Sequence, residues 1–316
     1  MEQEIVKGTS LWQDAWKRLL KNKLAVFGLV VVVLMALTVF IGPILLEKIA
    51  GITPDGIPND QDLIKSFPPS ARHWMGTDDA GRDIFARVLQ GGRISLMVGI
   101  ISTIVSLLVG VSYGAIAGYL GGRVDNFMMR LVDIIYSIPY ILIVIVLLSV
   151  FGGPNTPSWI KATSDLFGGG QGMSQIFMLF FALGLVSWLT MARVVRGQIL
   201  SLKNQEFVLA AKATGVSTTN IIFRHLVPNV LGPVIVYATL TIPQVMLSEA
   251  FLSFLGIGVQ APYASWGSLA NEGIKNISIF PWQLIFPGVT MALTLFSLNF
   301  LGDGLRDALD PQTRKF

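Results

Sequence analysis

The chain contains no cysteine and only two histidines in its 316 residues, His73 and His225, far apart in sequence. The first absence excludes disulfides and thiolate chemistry, and the second argues against a histidine-rich metal site. Charge is scarce as well. Asp, Glu, Lys and Arg make up 13% of the residues, where a soluble domain carries about 25%. No G-x-x-x-x-G-K-[ST] run is present; "GGGQGMS" (168–174) lacks the lysine, so the chain has no phosphate cradle of its own for ATP. Neither a cofactor site nor an enzyme is indicated. "GTDDAGRDIFARV" supplies Asp78, Asp79 and Asp83, but without the twelve-residue spacing of a calcium loop. These residues, with Gly81 and Arg82, read as a helix cap with local ion pairs, not as a metal site. The net charge of +4 does not imply a nucleic-acid partner, because membrane topology accounts for the basic residues.

What the sequence has in excess is apolar length. Mean hydropathy is +0.65, and crossing about 30 Å of hydrocarbon takes roughly 20 apolar residues. Six charge-free runs qualify: Leu24–Leu46, Ile94–Leu120, Ile134–Phe151, Ser174–Ala192, Leu226–Ser248 and Asn276–Gly302. In lipid each must be helical, since its backbone groups find no water. Pro139, Pro228, Pro233, Pro243 and Pro287 read as tolerated kinks. With the N-terminus inside, 15 Lys and Arg fall on inner segments and 8 on outer ones, and the short outer loops are nearly free of positive charge, as the positive-inside rule requires. Both termini are then cytoplasmic, and an all-α polytopic membrane protein with six transmembrane helices is expected.

The organisation that follows is a cytoplasmic interfacial helix at 1–23, a first transmembrane helix at 24–46, an extracytoplasmic loop at 47–93, a five-helix core at 94–305 and a cytoplasmic C-terminus at 306–316. In "LWQDAWKRLLKNK", Trp12, Trp16, Leu19 and Leu20 are expected to share a helical face on membrane lipid; a plain basic anchor for the first span is the other reading. Gly110, Gly114 and Gly118, four residues apart, let a neighbouring helix approach closely, with a share in gating as the alternative. Glu249 near the outer end of the fifth span is costly in lipid. It reads either as a polar partner inside the bundle or as a pathway residue. Arg193 and Arg196 read as lipid-facing anchors or helix-terminal charges, or as ion-pair partners of another subunit. Asp303, Arg306 and Asp307 read as a short terminal helix.

One polar segment interrupts the greasy pattern: "EFVLAAKATGVSTTNIIFRHLVP", residues 206–228. Residues 204–226 read as helix, break, helix. Phe207, Ala210, Ala211 and Thr214 are spaced i, i+3, i+4, i+7 and are expected on one face. Gly215 is a natural left-handed stop, and Ser217 is placed to cap the next helix with its hydroxyl. Such a unit either docks into a groove on a cytoplasmic protein or packs on the chain's own bundle; spacing alone leaves both open.

The residues E-x-x-x-A-A-x-x-x-G, from Glu206 through Ala210 and Ala211 to Gly215, resemble the coupling motif of ABC-importer permeases. Phe207 stands where the broad motif has a small residue, as in the peptide/nickel branch. "HWMGTDDAGRDIFARVLQGGRISL", "GGRVDNFMMRLVDIIYSIPY", "SEAFLSFLGIGVQAPYASWG" and "NFLGDGLRDALDP" resemble that branch in order, from about Leu11 to Pro311. The resemblance implies a type I ABC-importer permease fold and a C-type subunit of an oligopeptide, dipeptide or nickel importer. It also implies partners: a second homologous permease, two cytoplasmic ATP-hydrolysing subunits, and an extracytoplasmic binding protein that the 47–93 loop helps to receive. Glu206, Phe207, Ala210, Ala211, Thr214 and Gly215 are then the ATPase-coupling residues. Two readings compete: a secondary transporter, which calls for ionisable groups near the midplane where these spans have almost none, and a non-ABC structural or signalling membrane subunit, for which the sequence shows no catalytic or signalling domain.

Overall fold

The computed structural model describes residues 11–56, 66–151, 156–166 and 173–309. Its long elements are all helices: α1 (Leu11–Lys21), α2 (Lys23–Ala50), α3 (Ile84–Leu120), α4 (Gly122–Tyr136), α5 (Tyr140–Phe151), α6 (Ser158–Leu166), α7 (Met173–Leu202), α8 (Glu206–Ala213), α9 (Thr218–Asn220), α10 (Val227–Phe254), α11 (Trp266–Ile274) and α12 (Trp282–Leu309). A π-helical turn, Ile221–Leu226, joins α9 to α10. Five of the described elements are long and apolar enough to cross a membrane: α2, α3, α7, the continuous run Thr218–Phe254, and α12. A sixth crossing exists only if α4 and α5 are taken as one span bent by 85°.

That bend corrects the expectation of a plain third span with a tolerated kink. Pro139 is disfavoured inside a helix because it lacks an N–H donor and restricts the residue before it to extended backbone. Here the chain stops at Tyr136 and restarts at Tyr140. With twelve residues, α5 alone reaches only about 18 Å.

The sixth span also differs. It begins at Trp282, because residues 275–281 form tight turns, with the Ile279 N–H donating to the Asn276 carbonyl at 3.0 Å. Ile277, Ile279 and Phe280 made the turn look like span. Helix α3 starts at Ile84, ten residues before its apolar run, and so takes in the end of the 47–93 loop. Asp303, Arg306 and Asp307 lie on the uninterrupted last turns of α12, not on a separate helix.

The bundle centre is the α3–α7 pair, and glycine makes it possible. A Cβ on Gly110 would stand 2.9 Å from the Trp188 carbonyl oxygen, one on Gly118 3.0 Å from that of Arg196, and one on Gly114 would overlap that of Ala192. The three glycines thus oppose three carbonyls spaced one turn apart on α7. In reverse, Gly184 of α7 meets the Ser102 carbonyl of α3 at 2.8 Å. This is the close-approach reading of the stripe. Residues 110–114 also spell G-x-S-x-G, but on continuous helix and not on the strand–turn–helix of a nucleophile elbow. The Ser112 hydroxyl donates to the Leu108 carbonyl at 2.8 Å.

Peripheral elements follow the same logic. Helix α2 buries only Ala25, Gly28 and Val39, and Gly28 lets it lie against the Ser297 carbonyl of α12. Val32 and Ala36 pack against the bundle, while Leu24, Phe27, Val30, Leu34, Leu37 and Ile41 are exposed, as a lipid-facing helix requires. On α1 the expected common face divides. Leu19, with Ala15, packs on Ala25, Leu301 and Ala308, while Trp16 and Leu20 stay half exposed. The side chain of Trp12 lies outside the described residues.

Just before α3, the acidic turn does what its residues suggested. The Asp83 carboxylate accepts from the Ala86 N–H at 2.9 Å and so caps α3. Asp78 pairs with Arg82 and with the buried Arg87, each at 2.7 Å. Arg87 reaches on to Glu272 of α11. Glu249 has no exposed surface. The Ser253 hydroxyl donates to it at 2.6 Å and the Ser95 hydroxyl lies at 3.4 Å. Ser95 in turn accepts the Trp266 N–H, and Ser253 accepts the Val259 N–H. The carboxylate therefore sits inside the bundle, where α3, α10 and the segment leading into α11 meet.

Candidate coupling site

The segment from Leu202 to Leu226 hangs from the end of α7. The Lys203 N–H donates to the Ile199 carbonyl and ends α7, and the Gln205 N–H turns back to that of Leu202, so three residues separate α7 from α8. Helix α8 then runs for eight residues with Glu206 in its first turn and Lys212 in its last, both placed favourably on the helix dipole.

Gly215 stops the helix as expected. Its φ is +76°. Its N–H donates to the Lys212 carbonyl, and the Val216 N–H reaches back to that of Ala211. This pair of bonds is a Schellman motif, which requires a left-handed residue at the glycine position. Val216 packs in the same apolar cluster as Ala211, the contact that commonly accompanies the motif. Ser217 occupies the N-cap position of α9 with extended backbone, but its side chain makes no capping hydrogen bond. The hydroxyl cap expected from sequence is not formed.

The expected common face is also corrected. Ala211 points inward: with Val208 it joins Met191, Val195 and Ile199 of α7, Ala115 of α3, and Ile221, Ile222 and Leu226 of the π turn. Glu206, Phe207, Ala210 and Thr214 remain exposed, as do Leu209 and Phe223. Ala211 is therefore an anchor, and the free surface is carried by Phe207, Ala210 and Thr214, with Leu209 beside them. The Thr214 hydroxyl donates back to the Ala210 and Ala211 carbonyls, so it closes the helix end. Exposed large apolar side chains clustered at one end of a protein mark an interaction surface.

Sequence reasoning missed three parts of this site. Val208 is fully buried, although nothing in its identity separates it from Leu209. The Lys212 ammonium lies 5.2 Å from the centre of the Tyr119 ring, a cation–π contact across 93 residues of sequence. The π turn has a local cause that was legible: Pro228 cannot donate to the Arg224 carbonyl, and the helix widens just before it, with the Val227 N–H bonding to the Ile222 carbonyl.

Arg193 and Arg196, expected as anchors, instead tie α7 to α4. Arg196 makes a two-pronged pair with the buried Asp125, at 2.5 and 2.7 Å. Arg193 pairs with Asp133 at 2.8 Å and lies over the Tyr136 ring at 4.3 Å. A planar guanidinium suits the bidentate geometry. Together with the α3–α7 glycine contacts, these pairs make the α8 anchor continuous with α4 and with the adjoining ends of α3 and α7. Among the described residues no group of three or more His, Asp or Glu side chains is placed to hold a metal ion.

Comparison with known proteins agrees with this geometry. Residues 110–315 match the family described as the binding-protein-dependent transport system inner membrane component. Residues 10–69 match the N-terminal transmembrane domain of oligopeptide transport permease C. The chain is 47% identical over 310 residues to the oligopeptide transport system permease protein OppC of Escherichia coli (strain K12), covering 98% of this chain and 94% of that protein. It is 44% identical to the dipeptide transport system permease protein DppC of Bacillus subtilis (strain 168), covering 99% of this chain and 90% of that one. Among solved structures, the MetNI methionine ABC transporter in inward facing conformations superposes with a TM-score of 0.50 at 17% identity, over 71% of this chain and 96% of that chain, a likeness of fold. The chain belongs to the inner membrane components of binding-protein-dependent transport systems, as a multi-pass permease subunit that is not itself catalytic.

Proposed function

We propose that this chain is one permease subunit of an ATP-driven importer of oligopeptides, with dipeptides as the related cargo. The observation that carries the proposal is the division of labour on α8. Val208 and Ala211 lock the helix into the bundle, while Phe207, Ala210 and Thr214 are left for a partner. A helix that is both rooted in the membrane bundle and open to a partner transmits displacement.

In this reading both termini and α8 are cytoplasmic. Two ATPase subunits, one of which grips α8, close on ATP, and a second homologous permease completes the pathway. An extracytoplasmic peptide-binding protein delivers the cargo. Because α8, the π turn and the inner ends of α3 and α7 share one apolar cluster, a pull on α8 moves them as a body. ATP biases the two access states only through a difference in the grip of the ATPases on them. The outward apolar surface of α2 is left to membrane lipid.

The test is uptake of a labelled tripeptide into vesicles bearing the complete complex. Uptake is expected to require ATP and the ATPase subunits and to persist when an uncoupler collapses the proton gradient. Uptake that survives ATPase inactivation and stops with the uncoupler contradicts the proposal and favours a secondary transporter.

A further inference from the structure

We propose that the break in the third span builds an uncharged, hydrogen-bonding half-site for the backbone of a peptide at mid-membrane depth. The proposal rests on the peptide-permease reading above and adds what this chain recognises in its cargo.

A cavity of about 380 Å³ lies between the α4–α5 break, the middle of α7 and the middle of α10. Three independent features say that it is wet and meant for a polar guest. First, the chain leaves helical geometry at Ser137–Pro139 and turns by 85°. Irregular backbone at membrane depth is tolerated only where protein covers it or water fills the space beside it, and Ser137, Ile138 and Pro139 all line this cavity. Second, Gln244 lines the cavity with its side chain exposed. A carboxamide in the middle of an apolar span costs too much to face hydrocarbon. Third, four of the lining hydroxyls are oriented alike. Ser137 donates to the Ile134 carbonyl at 2.7 Å, Ser187 to that of Leu183 at 2.9 Å, Thr241 to that of Tyr237 at 2.8 Å, and Ser248 to that of Gln244 at 2.9 Å. Each has spent its one proton on its own helix and keeps acceptor lone pairs for a guest, while Tyr136, Tyr140, Tyr237 and the Gln244 carboxamide in the same lining can also donate.

No Asp, Glu, Lys or Arg lines the cavity. Asp133 and Arg193, one turn beyond it on α4 and α7, neutralise each other at 2.8 Å. Uncharged acceptors and donors suit the groups that every peptide shares, its backbone N–H and C=O. They give no preference for side-chain charge and no deep trap for either terminus. The volume falls within the range of small-molecule sites, about 300–1,000 Å³. The half-site therefore serves passage of varied peptides, and charge selection is left to other components.

The test uses the reconstituted complex and three tripeptides that differ only in a central lysine, glutamine or glutamate, with ATP hydrolysis followed in parallel. Relative to the wild type, Gln244→Lys is expected to lower uptake of the lysine peptide about tenfold against the glutamate peptide, from charge repulsion at close range. Gln244→Glu is expected to reverse that preference. Unchanged ratios in both variants, or an equal loss of all three peptides with hydrolysis intact, overturn the half-site. Failure of the wild type to import any of the three overturns the peptide-permease reading instead. If the charged variants do not assemble, Ser187→Ala combined with Thr190→Val keeps the shape and removes two lining hydroxyls. That variant is expected to lower uptake of all three alike by roughly fivefold, and unchanged uptake contradicts the proposal.

Discussion

Gly114→Leu is expected to abolish recovery of folded protein. A Cβ at this position would overlap the Ala192 carbonyl and lie 3.0 Å from the Val195 Cβ. Both belong to the one helix on which α8 and α4 also depend, so relief by a local shift is closed off. Separating α3 from α7 would break the contacts of Gly110 and Gly118 at the same time. Large effects of this kind, above about 4 kcal/mol, arise from overpacking at close backbone approaches, and a domain's whole stability is only about 5–15 kcal/mol. Gly197→Leu is the control. It sits on α7, in a helix, with nothing within 4 Å of its would-be Cβ, and is expected to leave yield unchanged. The readout is the monodisperse fraction after detergent extraction and gel filtration. Equal recovery of the two variants would show that the glycine stripe does not set the α3–α7 distance.

Gly215→Val is expected to leave the chain inserted and monodisperse yet cut its capture of the ATPase subunits by about tenfold or more. The space around Gly215 is open, so steric clash plays no part; the effect is conformational. With φ at +76°, a β-branched residue costs about 1–3 kcal/mol. The chain escapes that cost by giving up the two bonds from residues 215 and 216 to the Lys212 and Ala211 carbonyls. The last turn of α8 then frays, and Thr214 and Ala210 lose their fixed positions. Asparagine visits the left-handed region more readily than other non-glycine residues, so Gly215→Asn is expected to retain most of the association. Co-purification of the ATPases with each variant at equal membrane expression decides the matter, and equal capture by the Val and Asn variants would contradict the conformational argument.

How far the sequence could be read depended on how many geometries each pattern allows. Gly110, Gly114 and Gly118 were legible because four-residue spacing on an apolar helix has essentially one use, close approach. The Gly215 stop was legible because a glycine after a short amphipathic run meets the demand for positive φ. The sharpness of the break in the third span was not legible because hydropathy reports length and not direction. Ile134–Phe151 is apolar throughout, and only the Ser137–Pro139 backbone reveals the 85° turn. Ala210 and Ala211 differ by one position, and alanine fits either side of a helix. Burial of Ala211 is set by Ile199 and Ile222 across the cluster, not by its neighbours in sequence. Arg193 and Arg196 find Asp133 and Asp125 across 60 and 71 residues, a distance no local pattern spans. The polar lining of the mid-membrane cavity is scattered over α4, α5, α7, α10 and the loop between the first two, so each residue looked like an ordinary serine, threonine, tyrosine or glutamine in its own span.

The absence of cysteine makes the decisive measurement clean, since Ala210→Cys supplies the chain's only thiol. In sealed vesicles of known orientation, a membrane-impermeant maleimide is expected to modify that thiol from the cytoplasmic side alone. Added ATPase subunits should protect it, and a short bifunctional reagent should join it to one of them. Modification from the opposite side, or a thiol that stays unreactive in the intact chain without any ATPase present, would contradict the account that the exposed face of α8 is where the motor takes hold.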